Sequence, residues 1–280
     1  MEYGRLLVHP RHICGYWWRG APNFGDALSP LILKWISGRK VLNVENLPWY
    51  RGPVYLTVGS ILDGVAFKNV VIWGSGFISD HGRMATEPKQ VLAVRGPLTR
   101  QNLLDQGVKC PDVYGDPGLL VRRLFDSTLT KEFEYGIVPH INDKGLVPPW
   151  LAHNEEVRII DVQSKPVEFV RGLCRCKSIL SSSLHGLITA DAFGIPSAQF
   201  SLSDRISGGG SFKFRDYCES VGREQVPPFD LAKMKEIEEA EDYLVLTDVE
   251  PTVHALMDAS PFPLQDRPGF KRPAISKDNA

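Results

Sequence analysis

Residues 70–76 read Val-Val-Ile-Trp-Gly-Ser-Gly, an apolar run rich in β-branched side chains that stops at glycine. A run of this kind predicts a strand that is buried on both faces and ends in a tight turn. Strands buried on both faces are typical of parallel sheets that are covered by helices on each side. The same pattern recurs at residues 54–59 and 91–96, so the sequence predicts an α/β protein.

Helical patterns separate these strands. Residues 29–38 begin with a capping serine and a proline and end at glycine, and residues 97–107 also begin at proline and end at glycine. A second set of elements starts near residue 134, with predicted strands at residues 135–139, 157–162, 178–181 and 196–200 and a predicted helix at residues 184–194. Residues 231–243 and a segment from Pro251 onward predict two further helices.

The two sets of elements divide the chain into two doubly wound units. Polar residues crowd between Val121 and Phe133, which predicts an N-terminal α/β domain over residues 1–127 and a C-terminal α/β domain over residues 128–262. Residues 263–280 are rich in proline and charge and are predicted to be a flexible tail. Both domains are predicted to be Rossmann-like. Ligands of such sheets bind outside the carboxyl ends of the strands, so we expect the site in a cleft between the domains.

The bulk composition narrows the function classes. The 280 residues carry a formal net charge of −1, so no overall field favours nucleic acid or an acidic membrane. The five cysteines are odd in number, and residues 1–18 have no continuous apolar export segment, which predicts reduced thiols and a cytoplasmic protein. Cys174 and Cys176 are separated by one residue, which is not a zinc spacing, so neither a metal site nor a cofactor is predicted. No apolar run is long enough to span a bilayer.

Four loops near the first set of strands carry candidate residues. In Asn23-Phe24-Gly25-Asp26, Asn23 is a candidate ligand contact, and Asp26 is either a helix cap or a cleft carboxylate that acts as a base. The turn with Ser75 is either an ordinary tight turn or one whose N–H groups hold an anion. Arg95 ends a strand, where it pairs with a neighbouring acid or grips a carboxylate or phosphate. Asp116 is a candidate helix cap and ligand contact.

Two loops of the second set carry further candidates. His140 follows a strand and is either a satisfied polar side chain or an acid–base group. The stretch Ser181-Ser182-Ser183-Leu184-His185-Gly186 crosses from strand into helix, where hydroxyls and free N–H groups suit a phosphate. His185 is a candidate for phosphate contact or proton donation. No Gly-x-Ser-x-Gly motif is present, so Ser183 is not predicted to be a nucleophile.

A glycine-rich stretch precedes a basic one. Gly208-Gly209-Gly210 predicts either a segment that closes over a ligand or an ordinary surface loop. Closure would bring Lys213 and Arg215 into the site, whereas a surface loop would leave both charges solvated.

Taken in order, these segments resemble the polysaccharide pyruvyl transferase family. The resemblance rests on Asn-x-Gly-Asp at residues 23–26, the Trp-Gly-Ser-Gly turn, Val-Arg-Gly-Pro-Leu-Thr at 94–99, Gly-Asp-Pro at 115–117, Pro-His at 139–140, and Leu-His-Gly at 184–186 followed by Gly-x-Pro at 194–196. The order and spacing of the segments over about residues 23–200 carry it. The three serines before Leu-His-Gly and the later Lys-Phe-Arg-Asp-Tyr resemble the branch that decorates exopolysaccharide repeat units.

The resemblance implies a fold similar to GT-B glycosyltransferases, phosphoenolpyruvate as donor and a cyclic pyruvate ketal on a sugar as product. It implies anion binding by Arg95 and His185 and an active-site role for His140. Many family members carry arginine where this chain has Ser183, and we expect Lys213 or Arg215 to replace that cation. Asp26 is our candidate for accepting the proton of the sugar hydroxyl.

Two rival functions stay open at the level of sequence. One is a nucleotide-sugar glycosyltransferase of the same architecture, and the other is a non-catalytic subunit that binds saccharide. The serine at position 183 gives the second rival its weight. For the transferase, a lipid-linked saccharide acceptor would place the protein at the inner face of the cell membrane as a peripheral protein.

Overall fold

The computed structural model of the chain describes residues 11–125, 128–202 and 210–262. Its first sheet has five parallel strands in the order β2-β1-β3-β4-β5. These strands are β1 (His12–Tyr16), β2 (Lys40–Asn43), β3 (Val54–Leu56), β4 (Val70–Trp73) and β5 (Gln90–Ala93).

The second sheet also has five parallel strands, in the order β10-β9-β8-β6-β7. These strands are β6 (Phe133–Val138), β7 (Val157–Ile159), β8 (Cys176–Ser181), β9 (Ser197–Ser201) and β10 (Phe229–Asp230). Two parallel sheets confirm the predicted pair of α/β units.

Helices connect the strands of both sheets. The α-helices are α1 (Phe24–Ser37), α2 (Pro97–Asp105), α3 (Val121–Leu124), α4 (Pro149–Ala152), α5 (Pro166–Cys174), α6 (Leu184–Ala192), α7 (Gly210–Val221) and α8 (Glu250–Asp258). Short 3₁₀ helices cover Val44–Asn46, Pro117–Leu120, Lys144–Leu146, Leu231–Lys233 and Ile237–Tyr243.

The start of α1 corrects the sequence prediction of a helix from residue 29. The side chain of Asn23 accepts a hydrogen bond from the Gly25 N–H at 2.9 Å, so the cap lies six residues earlier than the predicted one. Pro30 is inside the helix, and the hydroxyl of Ser29 bonds the Val58 carbonyl at 3.4 Å instead of capping. The predicted end at Gly38 is confirmed, because this glycine adopts the left-handed conformation that stops helices.

The acidic segment 231–243 is a second correction. It forms two 3₁₀ helices rather than one α-helix, because Met234 and Glu236 adopt extended backbone angles between them. The Glu239 carboxylate accepts hydrogen bonds from the Lys235 and Glu236 N–H groups, and these bonds stabilise the amino end of the second 3₁₀ helix.

The hydrophobic core joins the two units. Phe24 at the start of α1 stacks on Phe169 of α5, with ring centroids 3.9 Å apart. The backbone N–H of Phe24 also donates to the Val162 carbonyl, just after β7, at 2.7 Å. Loops that follow strands of both sheets therefore meet at the first turn of α1.

The last helix packs back on the first unit. Trp73 at the end of β4 donates its indole N–H to the Leu256 carbonyl of α8 at 2.9 Å. The predicted division near residue 127 stays a prediction, and residues 126–127 and 263–280 lie outside the described residues.

All five cysteines are buried and none forms a disulfide. Burial raises the pKa of the Cys174 and Cys176 thiols to about 12, so both stay protonated at neutral pH. Among the helices that the structure describes, none is both long and apolar enough to cross a membrane.

Candidate active site

The carboxyl ends of the two sheets supply one cluster of polar residues. Asp26 comes from the first turn of α1, which follows β1, Arg95 from the end of β5, His140 from the loop after β6, His185 from the helix after β8 and Lys213 from α7. Because each of these positions follows a parallel strand or faces one, the cluster matches the predicted place for ligand binding.

His185 lies at the centre of the cluster and is packed against backbone of the first unit. A Cβ on Gly25 would lie 2.2 Å from His185 Nδ1, so only glycine permits this approach. The His185 Nε2 atom is buried without a hydrogen bond, and it lies 3.8 Å from the Asp116 carboxylate. Buried polar atoms are normally hydrogen-bonded, so this nitrogen indicates a place where a partner arrives.

The charge state of His185 is set by its surroundings. Burial first, and then the charges of Lys213 and Arg95, lower the pKa of His185 to about 3. The imidazole is therefore neutral at neutral pH in the unliganded protein. A bound anion would offset both nearby cations and raise this pKa.

Asp116 is buried beside His185 and confirms the predicted cap. Its carboxylate accepts the Gly118 N–H at 2.8 Å and the Gly59 N–H at 3.3 Å, and it caps the 3₁₀ helix that begins at Pro117. Burial raises the pKa of Asp116 to about 6, although both N–H groups act in the opposite direction. Asp116 is thus mostly ionised at pH 7 and gives His185 a nearby negative charge.

Asp26 is the third residue of α1 and does not cap it. Its partly buried carboxylate makes no hydrogen bond or ion pair with any residue that the structure describes. Burial raises the pKa of Asp26 to about 7. A carboxyl group poised near neutrality, without a structural partner, suits acid–base work.

Arg95 takes the ion-pair arrangement that the sequence left open. Its Nε donates to the Asp216 carboxylate of α7 at 2.9 Å, and its two terminal nitrogens donate to Ser60 Oγ at 2.5 Å and the Phe77 carbonyl at 2.6 Å. Both charged side chains are fully buried. Direct donor binding by Arg95 stays a prediction, while the structure shows it joining the two units.

Asp216 has further partners in α2. The backbone N–H and hydroxyl of Thr99 donate to it at 2.9 and 2.6 Å. A Cβ on Gly96 would lie 1.8 Å from the Asp216 carbonyl oxygen, so α7 and the loop after β5 are in close backbone contact. This set of contacts fixes the middle of α7 against the first unit.

Lys213 lies one helical turn before Asp216, on the same side of α7. The ammonium has no carboxylate partner among the described residues and lies 5.7 Å from the centroid of the Phe214 ring. Burial and the charge of Arg95 lower its pKa to about 8, and its own charge lowers the pKa of His140 and His185. Lys213 is therefore an unpaired cation within the cluster.

The predicted closing segment is only partly described. Residues 208 and 209 lie outside the described residues, and Lys213 belongs to α7 rather than to a loop. Arg215 is exposed and lines a separate cavity of about 300 Å³ with Gln199 and Tyr243. The two candidate cations thus point to different places.

His140 is held by the loop that it belongs to. Its backbone N–H donates to Ser182 Oγ at 2.8 Å, and its ring Nδ1 accepts the Asn142 N–H at 3.3 Å. Burial, followed by Lys213, lowers the pKa of His140. Because Nδ1 accepts, the neutral ring carries its proton on Nε2, where it can donate to a ligand.

The three serines have different roles. Ser181 is fully buried and bonds the Val138 and Ser183 carbonyls, and Ser182 donates to Asp143 at 3.2 Å. The Ser183 hydroxyl makes no cap hydrogen bond to α6 and has no hydrogen-bond partner among the described residues, so it is available to a ligand.

Two other predicted contacts are structural in this conformation. Ser75 is fully buried, and its hydroxyl donates to the Thr57 carbonyl at 2.7 Å. The side chain of Asn23 caps α1. Sequence reasoning gave no role to Ser60, Thr99 or Asp216, although Thr99 and Asp216 lie in segments that carry the family resemblance.

Comparisons with known proteins agree with this architecture. A family model described as polysaccharide pyruvyl transferase matches residues 23–203. "Uncharacterized protein L143" of Acanthamoeba polyphaga mimivirus is 30% identical over 229 residues, which cover 79% of this chain and 78% of that protein. "Succinoglycan biosynthesis protein ExoV" of Rhizobium meliloti (strain 1021) is 28% identical over 222 residues, which cover 74% of this chain and 64% of that protein. The second match thus spans just under two thirds of its relative's length.

Proposed function

The chain belongs to the polysaccharide pyruvyl transferase family and is a transferase, and from that premise we propose that it forms a pyruvate ketal on an exopolysaccharide sugar with phosphoenolpyruvate as donor. The two parallel sheets are compatible with the GT-B-like arrangement that the family resemblance implies. The name of the second relative, a succinoglycan biosynthesis protein, supports an exopolysaccharide acceptor.

One observation carries this proposal. Asp26, His185 and Lys213 all follow the carboxyl ends of strands, their side chains are partly buried, and none of these side chains makes a hydrogen bond within the described residues. Buried ionisable groups without partners destabilise a fold, and they occur where a ligand supplies the missing partner. A base, an imidazole and a cation are the groups that transfer from an enol phosphate requires.

The donor is a small molecule with a phosphate and a carboxylate. We assign its anionic groups to the Lys213 ammonium, the Ser183 hydroxyl and the His140 Nε2–H. The first-turn N–H groups of α6 add the positive end of the helix dipole. Lys213 thereby takes the place of the arginine that many family members have at position 183.

The reaction balances over two acceptor hydroxyls. The methylene carbon of the donor gains one proton and becomes a methyl group, while C2 forms a bond to the first sugar oxygen. The C2–O bond to phosphate then breaks, and the second hydroxyl closes the ketal. Of the two hydroxyl protons, one balances the methyl proton and the other leaves with phosphate.

Proton transfer falls to Asp26 and His185. Asp26, with a pKa near 7, accepts the hydroxyl proton. The donor's negative charge raises the pKa of His185, and the Asp116 carboxylate 3.8 Å away also favours the imidazolium. The Nε2–H of this imidazolium, which has no hydrogen bond in the unliganded protein, protonates the methylene carbon.

Arg95 contributes by positioning. It holds Asp216, and Asp216 lies one turn from Lys213 on α7. The buried ion pair thus fixes the donor-binding cation relative to Asp26 and His185, and fixed charges are what electrostatic catalysis requires.

The test uses the purified full chain with phosphoenolpyruvate and succinoglycan oligosaccharides that were first treated with mild acid, which hydrolyses ketals. We expect phosphate release that depends on the saccharide, together with a product whose mass has grown by pyruvate less water. Binding of saccharide without phosphate release would favour a binding subunit. Saturable binding of a nucleotide sugar, with none of phosphoenolpyruvate, would favour a glycosyltransferase; either result overturns the proposal.

A further inference from the structure

An exposed tryptophan lies on the turn between β1 and α1. Trp18 is 46% exposed, although it belongs to the short connection that ends at the Asn23 cap. This connection follows the carboxyl end of a central strand, so it lies on the same edge of the sheet as Asp26. An exposed aromatic ring at this edge offers a surface on which a ligand bound at the site can pack.

The Trp18 ring is held in place. A Cβ on Gly20 would lie 2.2 Å from Trp18 Cζ2, so the indole rests directly on the Gly20 backbone. The Asn43 side chain donates to the Trp17 carbonyl at 3.0 Å, which ties the turn to the end of β2. The Trp18 ring is thus packed on the Gly20 backbone on one side and is exposed to solvent elsewhere.

Polar groups border this ring. Arg19 pairs with Glu45 at 3.2 Å, and both side chains are partly exposed. Tyr16, at the end of β1, lies close enough to Glu45 and Asp26 that both carboxylates raise its pKa, after burial. The phenol therefore connects the Trp18 turn with the proposed base.

We propose that Trp18 is the stacking platform for a sugar ring of the acceptor, with Arg19 and Glu45 bonding its hydroxyls. A pyranose has an apolar face of C–H groups and a rim of hydroxyls, which suits an indole bordered by one donor and one acceptor side chain. Trp18 lies at the same edge of the sheet as Asp26, and we place the neighbouring hydroxyls of the stacked sugar toward this base. The inference rests on the proposed function and deepens it, because it names the acceptor subsite.

Trp49 provides a matched control. It is 43% exposed, nearly as much as Trp18. The Asn69 side chain, just before β4, donates to the Arg51 carbonyl at 2.7 Å, which places residues 49–51 at the amino edge of the sheet. Trp49 is thus on the opposite edge from Asp26.

The experiment measures equilibrium binding of the mild-acid-treated succinoglycan oligosaccharides by calorimetry, without phosphoenolpyruvate. We expect Trp18→Ala to weaken binding about tenfold or more, equal to about 1.4 kcal/mol. Trp18→Phe should retain part of the affinity, and Trp49→Ala should bind as the wild type does. Far-ultraviolet circular dichroism checks that each variant is folded.

Turnover is measured in parallel so that two failures can be distinguished. Binding that depends on Trp18 without phosphate release would refute the proposed function and leave the saccharide platform standing. Equal binding by Trp18→Ala and wild type, or equal losses in Trp18→Ala and Trp49→Ala, would overturn the platform. The platform would also be overturned if the wild-type protein releases phosphate but its affinity for the saccharide does not depend on Trp18.

Discussion

Replacing Arg95 with methionine removes the guanidinium that joins the end of β5 to α7. Asp216 is fully buried, and it would keep its two hydrogen bonds from Thr99 but lose its only cationic partner among the described residues. Breaking a buried ion pair from one side costs about 3–5 kcal/mol. At ~2–4 °C per kcal/mol for a protein of roughly this size, the melting temperature should fall by roughly 6–20 °C.

The same substitution should change catalysis through Lys213. Without this anchor at Asp216, α7 no longer holds the Lys213 ammonium against the cluster, so the KM for phosphoenolpyruvate should rise. Asp216→Asn keeps the shape of the side chain and removes its charge, and it should raise this KM in the same direction. Melting by circular dichroism and steady-state phosphate release measure both effects.

A second buried pair gives the control. Arg223 donates to Asp191 at 2.6 Å near the opposite end of α7 from Lys213. Arg223→Met should lower the melting temperature to a similar extent and leave the KM for phosphoenolpyruvate near the wild-type value. An unchanged melting temperature in Arg95→Met would refute the reasoning. A raised KM in Arg95→Met with a normal KM in Asp216→Asn would show that Arg95 contacts the donor directly.

Four further predictions concern the cluster itself. Lys213→Met should raise the KM for phosphoenolpyruvate about 10- to 100-fold, which corresponds to the loss of one hydrogen bond to a charged group. Arg215 is exposed, so Arg215→Met should leave this KM near the wild-type value, and equal effects of the two substitutions would contradict the assignment. Asp26→Asn should lower kcat by about 10²–10⁴ without loss of folding, and a smaller loss would exclude Asp26 as the base. The pH profile of kcat/KM should rise through about 7 as Asp26 ionises and fall through about 8 as Lys213 loses its proton, and a flat profile across neutrality would contradict these roles. Gly25→Ala should abolish activity in a folded protein, because its Cβ would lie 2.2 Å from His185 Nδ1, and a fully active variant would argue against that packing.

The elements that could be predicted are those whose structure follows from the residues of a short segment. β4 is recognisable because a strand buried on both faces must be apolar at every position, and all of Val70–Trp73 is buried. α6 follows β8 as predicted, with Gly194 in the left-handed conformation beyond its end. The candidate residues were sought after strands, and the structure gathers Asp26, His140 and His185 there for the same reason.

The contacts that could not be predicted join residues that are far apart in the sequence. Arg95 could be expected to meet an acid, but its partner Asp216 is 121 residues away, and no local pattern identifies it. The start of α1 was misplaced because Pro30 suits a first helical turn, whereas the Asn23 cap and the stacking of Phe24 on Phe169 favour the earlier start. The choice between Lys213 and Arg215 likewise required α7, since helical geometry alone decides which side chain turns inward.

The most direct test is a crystal structure of the protein with a non-reactive phosphoenolpyruvate analogue. Our account predicts the phosphate beside Lys213 Nζ and the Ser183 hydroxyl, with the methylene-equivalent carbon facing His185 and open space toward Asp26. An analogue bound in the separate cavity near Gln199 and Arg215, with Lys213 and His185 untouched, would contradict it.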